Sequence, residues 1–157
     1  MRIALYQPDI PQNTGTILRL AACLGVGVDV IGPAGFDLSD RALWRAGMDY
    51  INAVDLVRHD GWMSFQACRN GDEAEEAGRL VLLTTAVDRR YSDFSFRPSD
   101  VLLFGRESAG VPGEVHEAAD VRLTIPMRRG MRSLNVAVSA AMVLGEALRQ
   151  TGQFPDP

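Results

Sequence analysis

The chain has 157 residues, which is the usual size of one domain and enough to bury a substantial core. Its net charge of −4 argues against a general nucleic-acid coat, and no apolar run is long enough for a membrane span. The apolar content of 46% and the charged content of 23% are ordinary for a globular protein. We therefore expect a single domain over residues 1–157. A cytoplasmic location is expected too, because residues 3–6 are too short for a signal-peptide core.

A strand, a helix and a second strand are predicted at the start of the chain. Residues 3–6 and 26–31 have the pattern of short buried strands. Between them we expect a helix that is capped by Asn13 or Thr14 and ends at Gly25. Together these elements form a βαβ unit, whose crossover is almost always right-handed.

Shorter elements of both kinds are predicted through the middle of the chain. In chain order they are a loop with a short helix over residues 36–50, a strand over 54–57, a helix over 61–69, an exposed connection over 70–78, a strand over 80–84, a turn-rich stretch over 88–100, a strand over 101–104 and a weak helix over 112–119. This alternation is typical of a parallel α/β sheet with helices on both faces.

The last part of the chain is predicted to form a strand, a loop and a closing helix. Apolar and polar residues alternate over 121–125, and Pro126 cannot continue a strand ladder. All 16 basic residues are arginine, and three of them, Arg128, Arg129 and Arg132, lie in the following segment, here called the arginine loop. Guanidinium groups bind phosphate well, although a solvated surface loop is the simpler interpretation. The helical pattern from about residue 134 contains many small side chains, which allow close backbone packing.

Glycine or proline residues mark the loops after three predicted strands, at Tyr6, Phe104 and Ile125. Ligands of parallel sheets bind outside the carboxyl ends of the strands, so these are candidate site loops. Residues 105–110, here called the glycine loop, lack the Lys-Ser/Thr ending of a phosphate-binding loop, and a tight turn explains them equally well.

The cysteines and histidines do not predict a metal site. Cys23 and Cys68 cannot form a usual zinc set with the two histidines at this spacing. We expect both cysteines to be buried thiols rather than disulfide partners.

Three sequence patterns occur in an order that indicates a family. In chain order they are Asn13-x-Gly15-x-x-x-Arg19, then Phe104-Gly105-Arg106-Glu107-x-x-Gly110, then Ile125-Pro126 with Ser133-Leu134-Asn135. They closely resemble the three motifs of the 2′-O-ribose branch of the SPOUT superfamily of RNA methyltransferases. The opening run LYQPDIPQNTGTILRLAA and the segment RAGMDY at 45–50 resemble, more specifically, the single-domain tRNA (cytidine(34)/uridine(34)-2′-O)-methyltransferases.

The resemblance implies both a fold and a cofactor. The fold is an α/β knot, a mostly parallel sheet with helices on both faces and a last helix threaded through a loop as a C-terminal trefoil knot. The cofactor is S-adenosylmethionine, and by motif position its site is lined by Leu83, Gly105, Ile125, Ser133 and Leu134. Apolar walls and strand-end backbone suit an adenine, and glycine lets the backbone approach closely.

The implied reaction is methyl transfer to the ribose 2′-hydroxyl of tRNA nucleotide 34. Arg19 matches the motif arginine that lies at the reacting ribose. Because arginine stays protonated near neutrality, we expect it to orient the RNA phosphate and the hydroxyl rather than act as a free base. Asn13, Glu107 and Asn135 would hold this arrangement, and no metal is required.

The resemblance also implies partners. The family forms homodimers with the last helix in the interface, although Gly145 stands where relatives often carry an aromatic residue. The tRNA would lie across both subunits and contact Arg128, Arg129 and Arg132, with Arg41 and Arg45 as further candidates.

Three alternative functions stay open at this point. A related enzyme could methylate ribose in ribosomal RNA or at another tRNA position, because site choice depends on surface shape. An RNA-binding module of the same fold could have lost catalysis, but the intact Asn13, Arg19 and Glu107 argue against this. A dehydrogenase-like nucleotide-binding domain is disfavoured, because GxGxxG does not follow the first strand.

Overall fold

The computed structural model describes residues 1–37, 41, 45, 48–71 and 78–156. Its strands are β1 Arg2–Tyr6, β2 Gly27–Ile31, β3 Leu56–His59, β4 Leu80–Leu83, β5 Val101–Phe104 and β6 Val121–Leu123. They form one sheet in the order β3-β2-β1-β5-β4-β6, and each pairing between neighbours in this order is parallel. The predicted parallel α/β sheet is therefore confirmed.

Helices cover both faces of this sheet. The helices whose bounds the structure describes are α1 Pro11–Leu24, α2 Trp62–Arg69, α3 Gly113–Ala118 and α4 Val136–Thr151, with short 3-10 helices at Met48–Ala53 and Tyr91–Asp93. Alternate side chains of each strand enter different core layers. On β1, Ile3 and Leu5 pack with α1 and α4, whereas Ala4 and Tyr6 pack with α2 and α3. A fully buried Leu or Ile contributes roughly 1.5–3 kcal/mol relative to an exposed one, so both layers stabilise the sheet.

Several predicted boundaries need correction. The predicted cap of α1 is wrong, because the helix begins at Pro11 after Ile10 and no side chain caps it. The fixed φ of proline suits the first helical position, where an N–H would have no partner. The predicted end at Gly25 is confirmed, with φ 66°. The third strand begins two residues later than predicted, and the last ends at Leu123, two residues earlier.

Two predicted connections lie mostly outside the described residues. The short helix expected within residues 36–50 falls largely on 38–40, 42–44 and 46–47, which the structure does not describe. The connection expected over 70–78 likewise includes 72–77. No helix of the described chain is long and apolar enough to cross a membrane.

The expected burial of the two cysteines is wrong, although both are free thiols as predicted. Cys23 is exposed because it follows the buried Ala21 by two residues, which is about 200° around a helix. Cys68 is exposed because the buried side chains of α2 are Trp62 and Phe65, nearer its start.

The closing helix α4 packs tightly against the sheet through small and branched residues. Its buried side chains are Ala137, Ala140, Val143, Leu144, Ala147 and Leu148. Asn135 caps its start, since its side-chain oxygen accepts hydrogen bonds from the backbone N–H groups of Ala137 and Val138. Close packing is what threading through a loop would need, but the threading itself stays a prediction.

Candidate active site

A cavity of about 650 Å³ opens at the carboxyl ends of β4 and β5, beside the start of α4. All five residues predicted to bind the cofactor line it, namely Leu83, Gly105, Ile125, Ser133 and Leu134. Three of these side chains are apolar, and the cavity size falls within the usual range for small-molecule sites. The walls therefore suit a partly apolar ligand of nucleoside size.

The glycine loop forms one wall of the cavity and is tightly closed. Arg106 and Gly110 exchange two backbone hydrogen bonds, with N–O distances of 2.9 and 2.8 Å. A Cβ on Gly105 would lie 2.6 Å from the carbonyl carbon of Gly110, so only glycine fits there without movement. Gly110 itself has φ +66°, a conformation that favours glycine.

A chain of side-chain hydrogen bonds joins the three motifs beside this wall. The amide nitrogen of Asn135 donates to the side-chain oxygen of Asn13 at 2.9 Å. The amide nitrogen of Asn13 donates to Oε1 of Glu107 at 3.2 Å. All three residues also line the cavity. Because their polar groups already bind one another, they fix the relative positions of α1, the glycine loop and α4.

The fourth residue predicted to be catalytic, Arg19, is not among the residues that line this cavity. Arg19 follows Asn13 by six residues on α1, which places the two roughly 120° apart around the helix. It is exposed, and its guanidinium carbon lies 5.1 Å from the ring centroid of Tyr50. Arg19 therefore lies on the polar side of α1, as predicted, but it does not line the cavity that Asn13, Glu107 and Asn135 border.

The arginine loop borders a second cavity of about 550 Å³. The residues lining this cavity include Arg128, Arg129 and Arg132, the three predicted to bind RNA. Met131 N–H donates to the carbonyl of Arg128 at 3.2 Å, and Gly130 has φ +86°, which together form a turn with glycine at its third position. The two cavities share Thr85, Ile125 and Met127, so they are adjacent.

The further RNA candidates lie elsewhere. Arg41 and Arg45 are both exposed, but the three residues between them lie outside the described part of the chain. Within that part, no group of three or more His, Cys, Asp or Glu residues could hold a metal ion.

Sequence reasoning missed Asp9, which contacts residues that line the cavity. Its backbone N–H donates to Oε2 of Glu107 at 2.9 Å, and its carboxylate binds Arg106 and Ser108. The available signal was an acidic residue in a strand-end loop, two residues before the start of α1. Cavity-lining residues such as Thr85, Met127 and His116 were missed as well, and no motif pointed to them.

A family model and several known proteins are similar to this chain. The model of the SpoU rRNA Methylase family matches residues 1–145. A tRNA (cytidine(34)-2′-O)-methyltransferase of Beijerinckia indica is 61% identical over 96% of this chain and 91% of its own. The protein of the same description from Escherichia coli K12 is 38% identical over 97% of this chain and 94% of its own.

Two solved structures are also similar. One, described as giving structural insights into the 2-OH methylation of C/U34 on tRNA, has a TM-score of 0.87 and 40% identity, covering 95% of this chain and 94% of that one. The SpoU methyltransferase AviRb from Streptomyces viridochromogenes, in complex with the cofactor AdoMet, has a TM-score of 0.88 and 30% identity. It matches 96% of this chain and 57% of that longer chain.

Proposed function

The chain belongs to the SpoU rRNA methylase family, and we propose that it methylates the ribose 2′-hydroxyl of the wobble nucleotide, cytidine or uridine 34, in tRNA. One observation carries this proposal. This chain is 61% identical to a tRNA (cytidine(34)-2′-O)-methyltransferase, and its three motif regions meet at one site. The hydrogen bonds of Asn13, Glu107 and Asn135 join these regions. The whole chain acts as one domain, since both core layers pack on one sheet. A tRNA substrate also supports the expected cytoplasmic location.

The methyl donor is S-adenosylmethionine, held in the 650 Å³ cavity. Leu83, Ile125 and Leu134 would provide apolar surface for it, and Gly105 and Ser133 would provide backbone and hydroxyl groups for hydrogen bonding. When bound, this cofactor supplies a sulfonium methyl group that the 2′-oxygen takes up as the carbon–sulfur bond breaks. The chain's own residues need only position the acceptor.

Arg19 positions the acceptor nucleotide. A 2′-hydroxyl is a weak nucleophile until its proton is removed and its oxygen is aligned. The guanidinium stays protonated, so it would bind the RNA phosphate next to the ribose and orient the hydroxyl, whose proton passes to solvent with the assistance of that phosphate. The hydrogen bonds among Asn13, Glu107 and Asn135 hold the starts of α1 and α4 and the glycine loop in fixed positions beside the reaction site.

We also infer a homodimer in which Arg19 serves the cavity of the partner subunit. The outer side of α4 exposes Val138 and Met142 at 49% and 40%, and a Cβ on Gly145 would meet nothing within 4 Å. Such an apolar, small-residue surface is suited to helix packing between subunits. A dimer through α4 would let each site draw residues from both chains.

The arginine loop binds the tRNA backbone beside the reaction site. Its three arginines border the second cavity, which adjoins the first. The turn at Gly130 holds the loop in a fixed shape, which lowers the entropy lost on binding.

The decisive experiment is a methyl-transfer assay with S-adenosylmethionine and tRNA from cells that lack this gene. The modified nucleotide is then located by nuclease digestion and mass spectrometry. Methylation of the ribose at nucleotide 34 would establish reaction and position together. Methylation elsewhere would assign the chain to a different ribose site. Cofactor binding without any transfer would contradict the proposed substrate.

A complementation assay tests the shared site. Arg19→Ala should abolish transfer but keep cofactor binding, whereas Gly105→Ala should weaken cofactor binding, so that at low cofactor concentration its own cavity stays mostly empty. If Arg19 acts on the partner, an equal mixture of both chains should regain about a quarter of the activity, because half of the dimers would hold one intact site. No recovery in mixed dimers would show that Arg19 acts within its own chain.

A further inference from the structure

Asp9 binds the glycine loop at three consecutive residues. One carboxylate oxygen accepts from Nε and Nη2 of Arg106 at 3.1 and 3.0 Å. The other accepts from the backbone N–H of Ser108 at 3.1 Å and from its hydroxyl. The Asp9 N–H donates to Glu107, which lies between them. A single residue of the loop after β1 therefore binds three residues of the glycine loop.

The contacts of Asp9 are strong ones. Its side chain is 17% exposed and that of Arg106 is 38% exposed, so the ion pair is partly shielded from water. Hydrogen bonds from Ser108, and then from Arg106, lower the pKa of Asp9 below its ordinary value. The carboxylate is therefore ionised at neutral pH, and hydrogen bonds to a charged group are about twice as strong as neutral ones.

The backbone before Asp9 is shaped for this contact. Gln7 has φ 43°, a value that residues other than glycine rarely adopt, and its side-chain oxygen accepts from Nη1 of Arg106 at 3.3 Å. Uncommon backbone conformations persist where surrounding contacts fix them. Here Arg106 is held from one side by both Gln7 and Asp9.

We propose that Asp9 is a positioning residue that sets the glycine loop for cofactor binding, through its carboxylate contacts with Arg106 and Ser108. This inference rests on the proposed function of the cavity. Residues 106–108 line that cavity, and Glu107 continues the hydrogen-bond chain to Asn13. A loop fixed in advance loses less entropy when the ligand binds. Without the carboxylate, the loop must be ordered by the cofactor itself.

Binding of S-adenosylmethionine to the full-length protein, measured by calorimetry, tests this role. Asp9→Ala should weaken binding by about tenfold or more, because two charge-assisted contacts are lost. Asp9→Asn keeps an acceptor for Ser108 but loses the charge, so its affinity should fall between those of the wild type and Asp9→Ala. In turnover assays, KM for S-adenosylmethionine should rise and kcat at saturating cofactor should stay close to wild type.

The matched control is Asp55→Ala. Asp55 also pairs with an arginine, Arg2, but its side chain is 69% exposed and it lies at the other end of the sheet. This variant should bind the cofactor normally.

The affinity of the wild type for the cofactor should weaken at acidic pH as Asp9 is protonated, whereas the affinity of Asp9→Asn should not change with the protonation of this residue.

The outcomes separate this inference from the proposed function. If the wild type binds the cofactor and both Asp9 variants bind it equally well, the positioning role is wrong and methyl transfer stands. If the wild type does not bind S-adenosylmethionine, the proposed function itself fails. If Asp9→Ala does not fold, the test rests on Asp9→Asn. An Asp9→Asn variant whose cofactor affinity and whose pH dependence of binding both match the wild type would overturn the inference.

Discussion

Replacing Gly105 by alanine should loosen the cofactor site. The glycine loop closes through two backbone hydrogen bonds between Arg106 and Gly110. The added Cβ would face the backbone of Gly110, with its carbonyl carbon at 2.6 Å and its Cα at 2.8 Å. Backbone cannot turn away as a flexible side chain can, so the loop itself must move.

The size of the effect follows from that distance. Ordinary contact begins at 3.4 Å, so the two segments must separate by about 0.8 Å, enough to stretch both hydrogen bonds of the loop. Overpacking of this kind typically costs about 1–3 kcal/mol. Since about 1.4 kcal/mol is tenfold in affinity, cofactor binding should weaken by roughly 5- to 150-fold if the strain is expressed at the cavity.

Calorimetric titration of S-adenosylmethionine into both proteins measures this directly. The matched control is Gly113→Ala, the same change on α3, where the new Cβ would meet nothing within 4 Å. It should bind like the wild type. Wild-type affinity in Gly105→Ala, with an unchanged melting temperature, would refute the view that the loop is closed and rigid before the ligand arrives.

Three further predictions concern other parts of the site and its helix. Asn135→Asp keeps the cap of α4 but loses the amide donor, so turnover should fall while the melting temperature holds; Asn135→Ala should also lose about 1 kcal/mol of stability. Replacing Arg129 and Arg132 by alanine should lower the slope of log affinity against log salt by roughly 1.5 in tRNA-binding titrations, and an unchanged slope would remove them from the interface. A hydrogen bond from Arg149 lowers the pKa of Glu146 from 4.5 to about 2, so the ion pair stabilises the fold above pH 4.5 and this contribution is lost as the pH falls towards 2. Because the Arg149 side chain is 67% exposed, solvent screens the pair, and melting temperatures across this range should differ only slightly between the wild type and Arg149→Ala; a large difference would contradict this assignment.

The strands and the cavity walls could be predicted from sequence because their signals are local. The apolar runs at 80–83 and 101–104 favour strands that enter the core, and the structure has strands there. The five residues predicted to bind the cofactor lie at strand ends, just after them, or just before the last helix, and parallel sheets bind ligands at the carboxyl ends of their strands. Local pattern therefore locates the site without giving its internal contacts.

The role of Asn13 shows where local reasoning fails. From its neighbouring residues alone, Asn13 is predicted to cap a helix, because an asparagine side chain near the start of a helix usually forms a hydrogen bond with nearby backbone. The structure instead uses both ends of its amide for residues 94 and 122 positions away, Glu107 and Asn135. Asp9 was missed for the same reason, since its partners lie 97 and 99 positions away. Nothing in the neighbouring sequence reports such contacts.

The parallel topology explains why these distant residues meet. Every strand of the sheet points the same way, so the helix that follows each strand begins at the same edge. Helices α1 and α4 follow β1 and β6 and pack in the same core layer, which brings their first turns together. Asn13 lies in the first turn of α1 and Asn135 caps α4, so their 2.9 Å hydrogen bond joins two helix starts. Since β5 lies beside β1, its glycine loop reaches the same place, and Glu107 completes the contact. The site is therefore set by strand order, and a variant that shifts either helix start should disturb all three motifs together.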